Sequence, residues 1–151
     1  MRRPNAPTPA SSLGRPADPM TIELKLLGWT LVLALVQILL PSHLRNRETG
    51  VAYNTGPRDD AGPPIGVITG RLQRASRNLF ETLPLFAAAI LIAHVAGREG
   101  ALTLWGAWVY LLARIIYVPL YAAGIPYLRS LVWLASLAGL LLMVFAVLGP
   151  A

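Results

Sequence analysis

The chain has 151 residues, of which 55% are hydrophobic and only 13% are charged. An ordinary soluble domain has about 45–50% apolar and about 25% charged residues. The composition therefore excludes an ordinary soluble domain and indicates a membrane protein. The net charge of +6 does not indicate a nucleic-acid partner, because the basic residues lie largely beside apolar runs, where positive charge reports membrane orientation.

The first 19 residues contain five of the thirteen prolines and lack the apolar core of a secretory signal. We therefore predict a disordered extension over residues 1–19. Met20 opens directly onto the first apolar run, which suggests it as an alternative translation start. The membrane domain is predicted over residues 20–151.

Four long apolar runs predict a four-transmembrane-helix bundle, and hence an all-α membrane protein. The predicted spans are 22–41, 74–97, 101–121 and 127–148. The connection 44–70 contains Gly56-Pro57 and Gly62-Pro63-Pro64, which break helices, so we predict a polar loop there.

Charge at the ends of the spans predicts the orientation of the bundle. If translation begins at Met20, Lys25 and Arg98 stand at one side of the membrane against seven arginines at the other. The seven are Arg45, Arg47, Arg58, Arg71, Arg74, Arg77 and Arg129. The positive-inside rule then places the 44–70 loop in the cytoplasm.

Polar residues of three spans are expected to meet in the cytoplasmic half of the bundle. Arg74, Arg77, Asn78 and Glu81 are spaced to share one face of the second span, and Arg114, Tyr117 and Tyr121 do the same on the third. Arg129 and Ser130 open the fourth. Ionisable groups inside a membrane are costly and are a functional hypothesis by default.

Two interpretations of this cluster remain open from its charges. One is a structural Glu81–Arg114 ion pair, with the other arginines reaching lipid phosphates. The other is an anionic ligand, because a single Glu81 cannot neutralise four arginines and guanidinium groups bind carboxylate or phosphate. A small zwitterion with excess carboxylates fits the second interpretation.

Residues 74–86, RASRNLFETLPLF, resemble the signature of the MAPEG family, the membrane-associated proteins of eicosanoid and glutathione metabolism. The resemblance covers about residues 20–150 and is strongest toward short bacterial members, which implies a multi-pass protein of the bacterial inner membrane. It also implies a homotrimer with glutathione, as co-substrate, bound between neighbouring subunits near the cytoplasmic face.

The resemblance also assigns roles to the clustered residues. The residues expected to bind glutathione are Arg74, Arg77, Asn78, Glu81, Arg114, Tyr117 and Tyr121. Arg129 would stabilise the thiolate and Ser130 would donate a hydrogen bond to it. Trp133 departs from the tyrosine of some synthases, and Tyr117 stands where some relatives have histidine.

The expected function is that of a glutathione-dependent transferase or peroxidase, whose bound thiolate attacks a lipophilic electrophile that enters from the bilayer. One alternative is a non-catalytic membrane subunit, or a binder of another thiol or a lipid headgroup. A second is a small drug exporter, against which the arginine excess argues. No metal site is predicted, because cysteine is absent and His43 and His94 are far apart.

Overall fold

The computed structural model describes residues 20–57, 59–60 and 62–150, so the predicted extension over residues 1–19 lies outside the described residues. Those residues form five helices, of which all but α2 are long and apolar enough to cross a membrane. The helices are α1 (Ile22–Thr49), α2 (Val51–Thr55), α3 (Val67–Val95), α4 (Ala101–Ala123) and α5 (Pro126–Leu148). The prediction of an all-α bundle with four membrane spans is confirmed.

The segment between the first two spans contains more helix than the sequence predicts. Pro41 lies inside α1, and the helix continues through it to Thr49. A proline removes one backbone donor, and membrane helices tolerate that loss. The 44–70 segment therefore comprises the end of α1, all of α2 and the start of α3, with non-helical backbone between α2 and α3 in its described part.

The side chain of Glu48 joins the end of α1 to the start of α3. It accepts hydrogen bonds from the Gly66 backbone N–H at 3.1 Å and from the Thr69 hydroxyl. Arg45, one turn earlier, pairs with Glu48 at 3.3 Å and donates to the backbone carbonyls of residues 63–64. Glu48 thus caps the start of α3 by pairing one backbone N–H, that of Gly66, and it also holds the Thr69 side chain.

The four long helices alternate in direction along the chain. At one end of the bundle, here called the loop end, α1 and α4 finish while α3 and α5 begin. Arg71 on α3 donates there to the Ala122 carbonyl of α4 at 3.0 Å. At the opposite end, here called the termini end, the Thr103 hydroxyl donates to the buried carboxylate of Glu23 at 2.9 Å.

Helices α4 and α5 cross at a contact between two glycines. A Cβ atom placed on Gly139 would lie 2.7 Å from the Gly106 carbonyl oxygen and 3.0 Å from the Tyr110 backbone nitrogen. Small residues at such a crossing let two backbones approach closely. On the α3 side of α4, the rings of Phe86 and Tyr110 stack with centroids 4.0 Å apart. These contacts fix the position of α4, which carries the central arginine of the site.

Candidate functional site

Arg114 is a charged side chain buried between α3 and α4, with 1% of its surface exposed. It donates from Nη1 to Asn78 Oδ1 at 2.6 Å and from Nη2 to the Thr82 hydroxyl at 2.7 Å. Its guanidinium carbon lies 5.3 Å from the ring centroid of Tyr110 and 5.7 Å from that of Tyr117. Neutral acceptors and aromatic faces therefore hold this cation.

Asn78 lies between Arg114 and Glu81 and contacts both. Its amide oxygen accepts from Arg114, and its amide nitrogen donates to Glu81 Oε2 at 3.3 Å. The ion pairs formed by the described residues do not include Glu81 with Arg114. The structural ion pair considered from the sequence is replaced by an amide bridge, which leaves the exposed Glu81 carboxylate accessible to a ligand.

A cavity of about 160 Å³ opens beside this bridge at the loop end. We call it the Arg129 cavity, and its lining combines five of the residues predicted to bind or activate glutathione with Trp133. The lining residues are Asn78, Tyr117, Tyr121, Arg129, Ser130 and Trp133. Side chains from α3, α4 and α5 therefore meet here, as their spacing in the sequence predicts.

Arg129, in the first turn of α5, is held by an aromatic ring. Its guanidinium carbon lies 4.5 Å from the centroid of the Tyr121 ring, and Tyr121 in turn packs edge-on against Tyr117 at 5.3 Å. Within the described part of the chain, Arg129 has no carboxylate partner. An aromatic face positions a cation without neutralising it, so Arg129 can bind an anion in the cavity.

The two polar groups that follow Arg129 on α5 differ in their hydrogen bonds. The Ser130 hydroxyl donates to the Pro126 carbonyl at 3.0 Å, so its proton is committed to the backbone. The Trp133 Nε1 atom is shielded from solvent and has no acceptor among residues 20–57, 59–60 and 62–150. The sequence identifies Trp133 only as a departure from the tyrosine of some synthases, and its spacing of four from Arg129 places both residues on one face of α5 without revealing this unpaired donor.

Arg74 and Arg77 lie outside the Arg129 cavity and are exposed. Both line a separate depression of about 340 Å³ near the start of α3. Arg77 also lines a depression of about 420 Å³ between α1 and α3, which includes Gln37. Neighbouring helical residues point about 100° apart, so Arg77 and Asn78 face different sides of α3. One chain therefore does not bring all the predicted ligands into a single cavity.

Comparison with known protein families gives a match over most of the chain. The model of the MAPEG family matches residues 26–149, a range that contains nearly all of the four long helices and every residue of the Arg129 cavity. Comparison with curated proteins gives no match. Since the family match covers most of the sequence, the chain belongs to the MAPEG family.

Proposed function

We propose that the protein is an integral membrane glutathione-dependent transferase or peroxidase, in which a bound glutathione thiolate attacks a lipophilic electrophile. Its family supports a membrane function related to glutathione. The observation that carries the proposal is the Arg129 cavity, where a cation without a carboxylate partner in the described residues lies beside two tyrosines. A thiolate is the anion that such a group favours over its neutral thiol.

Arg129 supplies the activation step of this mechanism. A guanidinium beside the thiol lowers the pKa of the thiol, and the released proton goes to water at the open side of the cavity. In transfer, the sulfur forms a bond to the electrophilic carbon, and the leaving group departs with its electron pair. With a hydroperoxide, the sulfur attacks oxygen, the O–O bond breaks and the alkoxide is protonated. A second glutathione then converts the sulfenic acid to the disulfide and water.

The size of the Arg129 cavity supports a binding site shared between subunits. Its volume of about 160 Å³ is below the ~300–1,000 Å³ of ordinary small-molecule sites, so a tripeptide must extend beyond it. The exposed Arg74 and Arg77 lie outside this cavity, where their guanidinium groups can bind the carboxylates of glutathione. We therefore propose a homotrimer with glutathione between neighbouring subunits, near the cytoplasmic face of the bacterial inner membrane.

The lipophilic co-substrate is proposed to reach the thiolate from the bilayer. Helix α5 carries Arg129 at its start, and large apolar side chains cover its exposed surface. They include Leu128, Leu131, Leu134, Leu141 and Phe145. An electrophile dissolved in lipid can approach along this surface without crossing water, which suits the position of Arg129 at the bilayer boundary.

A second candidate function is a non-catalytic membrane subunit, or a binder of another thiol or a lipid headgroup. The hydrogen bond from Ser130 to the Pro126 carbonyl favours it, because the proton expected to assist the thiol is already used. This candidate predicts stable co-purification with a larger complex and no thioether product from a reactive aryl halide.

The proposal is tested by titration calorimetry of the purified full-length protein with glutathione, together with thioether formation from an aryl halide. We expect saturable binding, a higher Tm with millimolar glutathione and release of halide. Arg77→Ala is expected to weaken binding. Arg47→Ala, at an exposed arginine outside the Arg129 cavity and the two depressions, serves as the matched control. Absence of binding together with an unchanged Tm would overturn the proposal.

A further inference from the structure

A groove between α1 and α4 runs from the termini end toward the middle of the bundle. Its volume is about 380 Å³, within the ~300–1,000 Å³ of ordinary small-molecule sites. The two helices line it with residues at the same spacing, i, i+3, i+4 and i+7, counted from Trp29 on α1 and from Trp108 on α4. One face of each helix therefore forms a wall of the groove, and every lining side chain is aliphatic or aromatic.

The hydrogen bond from Thr103 to Glu23 fixes the depth of this groove. It sets the starts of α1 and α4 side by side, and both helices run from the termini end to the loop end. Trp29 lies six residues beyond this bond on α1, and Trp108 lies five beyond it on α4, so the two tryptophans stand at nearly the same depth. On α1 the groove covers residues 26–36, or about 15 Å of helix. That length equals one leaflet of a ~30 Å hydrocarbon core.

Lys25 is an exposed cation at the end of the groove that faces the membrane boundary. It lies one turn before Trp29, so Lys25, Trp29 and Val32 share one face of α1. The ion pairs formed within the described ranges of the chain do not include Lys25. A lysine in this position extends its charged head toward the headgroups while its methylene chain lies along apolar surface. The groove therefore has a positive charge at its boundary end and none along its walls.

The side chains at the rim of the groove favour a slender apolar occupant over a helix. Trp29 is 64% exposed and Trp108 is 40% exposed. Helix interfaces in membranes are enriched in small residues that let two backbones approach closely, as Gly106 and Gly139 do between α4 and α5. Two bulky rings at the rim hold a second helix away from the groove, whereas an extended hydrocarbon chain can lie between them.

We propose that this groove, here called the lipid groove, binds one acyl chain of an anionic phospholipid from the leaflet at the termini end, and that Lys25 binds the headgroup phosphate. Charge complementarity selects the headgroup, because a lysine at the membrane surface attracts anionic lipids. Packing against the groove walls positions the chain, since many weak dispersion contacts add up only where the two surfaces fit. The lipid groove lies toward the opposite end of the bundle from the Arg129 cavity, so this inference does not depend on glutathione binding.

The test measures the lipid that the purified full-length protein retains in native mass spectrometry. Phosphatidylglycerol and phosphatidylcholine with the same acyl chains are added in equal amounts to the protein in detergent. We expect one tightly held phosphatidylglycerol per chain, with a preference of about fivefold over phosphatidylcholine, the size expected for one lysine beside an anionic lipid. Lys25→Gln should lose the preference, and Lys25→Arg, which keeps the charge, should retain it.

A second readout locates the acyl chain. Phosphatidylglycerol brominated on its chains quenches the fluorescence of nearby tryptophans, and Trp29 and Trp108 both line the lipid groove. In vesicles of phosphatidylcholine, the brominated lipid should therefore give a component of quenching that saturates at a low mole fraction. Val32→Phe fills the groove and should remove this component. Leu31→Phe introduces the same ring at an exposed position outside the groove, and as the matched control it should keep the component.

Three outcomes would overturn the inference. Equal retention of the two lipids by the unmodified protein would remove the role of Lys25. Saturable quenching that survives Val32→Phe, or that Leu31→Phe removes equally, would mean that the chain binds elsewhere. Absence of saturable quenching in the unmodified protein would mean that no lipid chain occupies the groove, as when a second copy of the protein covers it. Should Val32→Phe not fold, Lys25→Gln decides, because it alters an exposed side chain and should lose the preference for phosphatidylglycerol.

Discussion

Asn78 on α3 accepts a 2.6 Å hydrogen bond from Arg114 on α4 and donates one of 3.3 Å to Glu81. The Asn78 amide thus lies between the buried guanidinium of Arg114 and the carboxylate of Glu81, which is on the same helix as Asn78. The arrangement leaves Glu81 exposed, while Arg114 is 1% exposed. The same contact fixes α4 against α3 at the wall of the Arg129 cavity.

The contact between Asn78 and Arg114 predicts a large effect of Arg114→Met on stability. The substitution leaves the Asn78 amide oxygen without its donor and removes a hydrogen bond to Thr82. We expect the free energy of unfolding to fall by about 2–3 kcal/mol, because losing one partner of a buried polar pair costs the desolvation of the other. Thermal unfolding in detergent measures the effect. Arg47→Met, at an exposed arginine, is the control, and an equal Tm for both variants would contradict the prediction.

The crossing of α4 and α5 predicts that Gly139→Ala is destabilising. The added methyl group would meet the Gly106 carbonyl oxygen at 2.7 Å and the Tyr110 nitrogen at 3.0 Å. Both atoms belong to the backbone, so the helices must separate, and such overpacking costs about 1–3 kcal/mol. Gly28→Ala is the matched control, since a Cβ there has nothing within 4 Å. Unfolding measured in the same detergent should show a loss for Gly139→Ala and none for Gly28→Ala.

The cap formed by Glu48 predicts where the chain becomes sensitive to protease. Glu48→Gln keeps one carbonyl oxygen for Gly66 or Thr69 and loses the charge that pairs with Arg45. We expect faster cleavage between α2 and α3, because local opening frees the backbone for the protease. Limited proteolysis with mass spectrometry of the fragments measures the rate. Glu99→Gln, at the termini end, should leave it unchanged, and equal rates in both variants would refute the role of Glu48.

The four membrane spans could be predicted from the sequence because lipid demands about 20 apolar residues for each helix. The continuation of α1 beyond Pro41 could not be predicted, because a proline followed by charged residues, considered alone, indicates the end of a helix. Tertiary contacts decide it, since Glu48 is held there by Gly66 and Thr69. The hydrogen bond between Glu23 and Thr103 joins residues 80 positions apart, which no local pattern reveals.

Helix periodicity predicts which residues of the candidate site share a helix face, and it predicts no more of the site than that. Spacing identified the faces that carry Asn78, Tyr117 and Arg129, and these residues do meet in one cavity. Spacing grouped Arg77 with Asn78, although the two point about 100° apart and line different depressions. The commitment of the Ser130 proton to Pro126 depends on a side-chain rotamer, and periodicity does not specify rotamers.

The separation of Arg129 from Arg74 predicts different kinetic effects of their substitution. If glutathione binds as proposed, Arg129→Gln removes the cation beside the thiol, so less of the bound thiol should ionise. We expect kcat and kcat/KM for an aryl halide, with glutathione varied, to fall together by about 100-fold, the pattern of an interaction needed in the transition state. Because more of the thiol ionises as pH rises, the rate of this variant should also rise toward higher pH than that of the unmodified protein.

Arg74→Gln should act on binding instead, because Arg74 lies in a depression that excludes Arg129. An arginine that binds a glutathione carboxylate far from the sulfur stabilises the bound substrate and the transition state equally. Loss of that arginine therefore raises KM for glutathione and leaves kcat nearly unchanged. Initial rates at several glutathione concentrations and pH values separate the two variants, with Arg47→Gln as the control. A fall in kcat for Arg74→Gln, with KM unchanged, would place Arg74 beside the reacting sulfur and contradict the division of roles between the two depressions.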